Sequence, residues 1–198
     1  MGDSLLAWNK ASHRAIADQV AALLKEPVLD RSVVGAHVIY SLPLSGAMGM
    51  KIARQYQPGD WDWIILNGGG NDLWLSCGCI FCDHRMERMI SEDGTKGAIP
   101  EMVARLRGTG ARVVYLGYLR SPGMGSPIEH CLKVGNELDR RLDHLAEQDK
   151  GTFFVSLADL VPYGDSSFHD FDMIHPSLKG SAQIAQRVAA LIAEENAN

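Results

Sequence analysis

A chain of 198 residues, 46% hydrophobic and 22% charged, is long enough for one well-buried core and too short for two ordinary domains. Its net charge of -5, with no basic run or Lys/Arg stripe, excludes an electrostatic footprint for nucleic acid or an anionic membrane surface and leaves small uncharged or cationic ligands open. No apolar run approaches the roughly eighteen residues of a membrane helix, no signal peptide precedes Gly2, and Leu6 stands where a myristoylation signal has Ser or Thr, so residues 1–198 read as one soluble domain.

Ile16, Val20, Leu23 and Leu24, at helical spacing on an alanine-rich background, predict a helix over residues 10–26 that Pro27 stops. Short β-branched runs predict strands over 28–35, 63–66, 112–119 and 152–157, each followed by turn or polar residues. Helices are expected over 46–56, 99–106 and 128–145, and a last one over 176–194 with Ile184, Val188, Leu191 and Ile192 facing inward. Strands alternating with helices predict an α/β fold: a three-layer α/β/α sandwich with a mostly parallel sheet, whose loops at the carboxyl ends of the strands carry the site. A strand should also precede Gly2, where only Met1 stands, so the first strand is expected to be missing from this chain. A leader ahead of Met1 would place the protein in the periplasm or outside the cell; without one the expectation is cytoplasmic.

Asp172-Met173-Ile174-His175-Pro176 sets a carboxylate three residues before an imidazole, just ahead of a proline-started helix. That spacing suits a general base and its orienter, and a serine is unreactive at neutral pH without them. Ser4, in Gly2-Asp3-Ser4-Leu5, is the serine we pair with them: Gly2 and Asp3 suit a tight turn that projects the hydroxyl and aims the Ser4 amide at a forming oxyanion. Gly68-Gly69-Gly70 follows an apolar run and lets the backbone turn so that Asn71 presents an uncharged donor. Taken singly, each has a plain alternative: a helix cap for Ser4 or Asp172, an Asx turn for Asn71, a backbone-bonded imidazole for His175. Their order along the chain favours the catalytic set. His169 and Asp170 lack the three-residue spacing and read as loop residues, and no Gly-x-Ser-x-Gly occurs to rival Ser4.

With these blocks in this order, the chain resembles the SGNH, or GDSL, hydrolases over nearly its whole length. The resemblance implies a flavodoxin-like SGNH fold, with Ser4 as nucleophile and Asp172 and His175 completing the triad. It implies an oxyanion hole made by the amides of Ser4 and Gly46, the latter within Ser45-Gly46-Ala47, and by the Asn71 side chain. The expected activity is hydrolysis of small-molecule carboxylic esters, with no metal and no organic cofactor. Leu6 stands where the family commonly has threonine, and an asparagine often found before the second-block glycine is absent; both departures bear on substrate preference. A non-catalytic glycan- or acyl-binding module is the competing function on the same scaffold.

Cys77, Cys79 and Cys82 crowd the loop after Asn71, and Cys131 falls on an expected helix. Two disulfides would staple an active-site loop in an exported protein, with three connectivities open. Zinc is the rival, although only Cys79 and Cys82 have the usual spacing and His84 would have to substitute as a ligand; buried free thiols are the third option. Trp74, Leu75 and the stretch from Tyr118 to Gly125 are expected to wall a pocket. The run from Leu119 to Gly125, which includes Met124, is glycine-rich enough to move, and Arg120 within it is placed to meet a substrate carboxylate or phosphate. Trp61 and Trp63 read as core or rim packing. The sequence sets no oligomeric state.

Overall fold

In a computed structural model, which describes residues 1–123 and 125–197, three parallel strands form one sheet. They are β1 (Trp63–Asn67), β2 (Arg112–Leu116) and β3 (Thr152–Val155), hydrogen-bonded in the order β1-β2-β3. β2 is central and every apolar side chain in it is buried, as expected of a strand covered on both faces. Alternation divides it: Val113 and Tyr115 enter one core, Val114 and Leu116 the other. The first core is closed by α3 (Gly70–Cys77), α4 (Asp83–Met89), α5 (Ala98–Arg107) and α6 (Leu132–Glu147). The second is closed by α1 (Ser4–Ala7), α2 (Ile16–Leu24) and α7 (Leu178–Ala197), with Ile16 and Val20 packed with Ile184, Val188 and Ile192. The layers are therefore those expected.

Two expected elements do not form. Residues 28–35 make an irregular loop, because the Asp30 carboxylate accepts both the Ser32 amide and the Ser32 hydroxyl, and this local turn replaces a ladder. Val34 is consequently exposed, and the β-branched composition that suggested a strand is misleading here. Residues 46–56 are not one helix but short turns, Gly46–Met50 and Ile52–Arg54, interrupted by Gly49 at φ 102° and an extended Lys51. The helix expected over 10–26 is also divided, since Asn9 and His13 adopt left-handed φ values of 66° and 54° and only Ile16–Leu24 is α-helical.

Met1 takes the edge position beside β1. Its amine donates to the Ile65 carbonyl at 2.8 Å and its carbonyl accepts the Asn67 amide at 3.2 Å, the pattern of a parallel ladder. This ladder aims Ser4 at the carboxyl end of the sheet, where Asn67 ends β1 and Gly117 follows β2. No helix among the described residues is long and apolar enough to cross a membrane.

Candidate active site

The Ser4 turn is fixed before its helix begins. Asn67, fully buried at the end of β1, accepts the Asp3 amide at 3.0 Å and donates to the Asp3 carboxylate at 2.9 Å. The same carboxylate caps α1 by accepting the Leu5 amide at 3.0 Å, and it also accepts the Tyr118 hydroxyl. Burial pushes that hydroxyl far above its ordinary pKa, so it stays a donor. Gln55 grips the preceding peptide, accepting from the Gly2 amide at 2.6 Å and donating to the Gly2 carbonyl at 2.8 Å. Glycine is required at position 2 because a Cβ there would lie 1.9 Å from Asn67 Oδ1. Ser4 is mostly buried, its hydroxyl makes no hydrogen bond among the described residues, and it lines a cavity of about 110 Å³.

His175 lines the same cavity. Its Nδ1 is 2.5 Å from Asp172 Oδ2, while Asp172 Oδ1 accepts the amides of Ile174 and His175 at 3.0 Å each. Burial pushes the Asp172 carboxyl up, but the bonds from the His175 ring and these two amides outweigh it and hold the group below its ordinary value. With Nδ1 bound, Nε2 is the ring nitrogen left for proton transfer. Met173, at φ 60°, makes the tight bend that brings the imidazole back over the carboxylate.

Asn71 also lines the cavity, from the first turn of α3. One of its amide hydrogens goes to the Ala36 carbonyl at 2.9 Å. Its neighbour Asp72, wholly buried, accepts the Val38 and Ile39 amides at 2.8 and 3.0 Å and so fastens the 36–39 segment against α3. Gly46 does not join this group. Its amide donates to the Leu42 carbonyl at 2.9 Å, and it packs on Tyr40 and Lys51.

Of the expected pocket residues, Trp74, Tyr118 and Arg120 all line the cavity, whereas Leu75 is exposed. Arg120 is not free for a substrate anion: its guanidinium donates to Asp139 at 2.6 Å, Asn136 at 2.9 Å and the Tyr118 carbonyl at 3.0 Å. Burial pushes the Asp139 carboxyl up against the pull of that arginine. Met124, part of the expected mobile run, lies outside the described residues.

Cys77 is bonded to Cys82, and Cys79 to Cys131, whose sulfurs edge the cavity. Cys79, His130 and Cys131 crowd together within metal-ligand spacing, but two of the three donors are joined to each other and offer no thiolate; His84 is exposed on α4.

Residues missed by the sequence reading are Asn67, Gln55 and Trp8, none of which falls in a recognisable motif, and Asp170, read as a loop residue, bonds the Trp8 indole. His169, beside them, is buried and neither ring nitrogen has a partner among the described residues. Burial pushes its pKa down, against a weaker pull from Asp172, so the fold favours the neutral ring. An unfolded chain binds a proton there below about pH 6.5 more readily than the folded one, so stability is expected to be lost as pH falls from that value. Thermal midpoints between pH 7.5 and 5 should show the decline, and His169→Gln should lessen it, the remainder coming from the Met1 amine, which burial lowers to about 6. Glu137 and Asp149, each held at about 2 by arginine partners, titrate well below this window.

The family profile described as GDSL-like Lipase/Acylhydrolase matches residues 1–183. No curated protein matches the chain. Among solved structures, a candidate SGNH hydrolase from Slackia heliotrinireducens is 18% identical, with 96% of this chain and 94% of that one covered and a TM-score of 0.62. Est24, a carbohydrate acetylesterase from Sinorhizobium meliloti, is 17% identical with 98% and 96% covered and a TM-score of 0.58. The acetyl xylan esterase Est2A from Butyrivibrio proteoclasticus is 14% identical with 99% and 63% covered and a TM-score of 0.61. At these identities the structural likeness speaks for the fold, and the profile for descent: the chain belongs to the GDSL-like lipase/acylhydrolase family.

Proposed function

We propose that the protein is a serine esterase, on the observation that Ser4, Asn71 and the Asp172-bound His175 open onto one cavity. His175 Nε2 removes the Ser4 proton, Ser4 Oγ attacks the ester carbonyl, and His175 returns the proton to the departing alcohol. Water activated by the same nitrogen then releases the acyl group. Asp172, ionised throughout, holds the imidazole and stabilises its charged form.

The oxyanion is held by the Ser4 amide, which as the first residue of α1 has no intrahelical acceptor, and by the free hydrogen of Asn71 Nδ2. Gly35 supplies the backbone donor first sought at Gly46. It lies between Val33, whose amide bonds the Gly2 carbonyl at 3.1 Å, and Ala36, whose carbonyl holds Asn71. Its amide has no partner among the described residues, and its φ of 78° favours glycine.

The cavity wall is almost wholly apolar, built from Leu5, Leu73, Trp74, Ile128, Leu132 and Val134 among others, which suits a short hydrocarbon acyl chain. Each buried methylene contributes about 0.8 kcal/mol, so kcat/KM is expected to rise about tenfold from p-nitrophenyl acetate to butyrate. Val134→Phe, which fills the cavity, should restore acetate to first place. A flat series, or acetate preferred by the wild type, would remove the acyl-pocket assignment and favour the deacetylation that the named carbohydrate esterases perform. Hydrolysis independent of Ser4 would leave the non-catalytic binding module.

A further inference from the structure

Trp8 stands behind the base. Its indole is stacked on the His175 imidazole with ring centroids 3.8 Å apart and planes 7° apart. Its Nε1–H donates to Asp170 Oδ2 at 2.7 Å, and the Asp170 amide donates to the His175 carbonyl at 2.8 Å. Asp170 thus holds the indole with its side chain and the histidine with its backbone, while the two rings press face to face. Beside this contact, Asn9 Nδ2 donates to the Pro176 carbonyl at 3.0 Å and to Ser181 Oγ at 3.1 Å. Trp8 is absent from the cavity wall.

The hydrogen bond that His175 Nδ1 donates to Asp172 fixes one atom of the imidazole, which leaves the ring free to swing about that point. A second constraint, on the ring plane, is needed to keep Nε2 aimed. The face of an indole supplies one, and it also attracts the imidazolium that forms each time the base is protonated. A carboxylate on the indole N–H draws that proton and enriches the ring, strengthening the attraction.

Resting on the esterase reading above, we propose that Trp8, fixed by Asp170, is a positioning residue for His175: it holds the imidazole plane and stabilises the imidazolium in both halves of the reaction. The test compares Trp8→Phe, Trp8→Leu and Asp170→Asn in the full chain, by kcat and KM on p-nitrophenyl butyrate, by the rate of inactivation with diisopropyl fluorophosphate, and by thermal midpoint. Trp8→Leu, apolar but without a π face, is expected to lower kcat about 30-fold with KM within twofold. Trp8→Phe should recover most of that loss, Asp170→Asn should fall between, and the inactivation rates should follow the same order. Unchanged kcat in Trp8→Leu, a rise in KM alone, or equal damage in folded Phe and Leu variants would overturn the proposal. If instead the wild type and Ser4→Ala behave alike toward ester and fluorophosphate, the esterase reading fails. The stack is then judged by NMR, where the His175 ring protons, displaced upfield by the indole, should return downfield in Trp8→Leu; no movement would rule it out.

Discussion

Ser4→Ala is expected to lower kcat/KM for p-nitrophenyl butyrate by about four to six orders of magnitude, because nucleophile and base act as a unit and neither works alone. The fold should not notice. The Ser4 hydroxyl has no hydrogen-bond partner among the described residues, and the turn is held through the Ser4 neighbours Gly2 and Asp3, so the thermal midpoint should stay within about 2 °C. His175→Ala should cost as much activity but more stability, since it also strips Asp172 and Trp8 of their contact. Combining the two substitutions should add little to either loss of rate, the non-additivity expected of one catalytic unit. Equal rates for wild type and Ser4→Ala would end the esterase assignment.

Loss of the Cys79–Cys131 bond is expected to have the largest effect on stability. It spans 52 residues, and closing a loop of that size removes chain entropy from the unfolded state equivalent to about 4 kcal/mol, against about 2 kcal/mol for Cys77–Cys82 with its separation of five. At a few degrees per kcal/mol, Cys79→Ser with Cys131→Ser should lower the melting temperature by about 10 °C, and Cys77→Ser with Cys82→Ser by roughly half as much. Reductant should reproduce the combined drop in the wild type. Because Cys79 and Cys131 edge the cavity, only the first pair of substitutions should also weaken the preference for butyrate over acetate. A melting temperature indifferent to reductant would show that the thiols are not bonded.

The local structure of the blocks proposed to be catalytic was legible in the sequence because each is self-contained: Asp172 reaches His175 over three residues, and Asp3 caps the helix that Ser4 starts. The layers were legible for a similar reason, since a fully buried central strand leaves an unbroken apolar run at 112–116. What could not be read depends on distant partners. Residues 28–35 have strand composition, yet Asp30 turns the backbone on itself before any ladder forms. Gly46 and Gly35 are alike as second-block glycines by residue type, and what separates them is the Gly46 amide bonded to Leu42 and the place of Ala36 beside Asn71, neither written in the sequence. Trp8 and Asp170, 162 residues apart, carry no pattern at all.

The bonds among Asp3, Asn67, Tyr118 and Gly70 weld the nucleophile turn and the start of α3 into one rigid piece, Gly70 donating to the Tyr118 hydroxyl at 2.9 Å. The opposite wall, 77–82 and 128–138, makes no hydrogen bond to the Gly2–Leu5 turn among the described residues. On the esterase reading, chain selection by Ile128, Leu132 and Val134 is thus set by side chains that do not hold the Ser4 turn. Retargeting to bulkier esters is then a matter of trimming Ile128, Leu132 or Val134, with the reacting centre left as it stands.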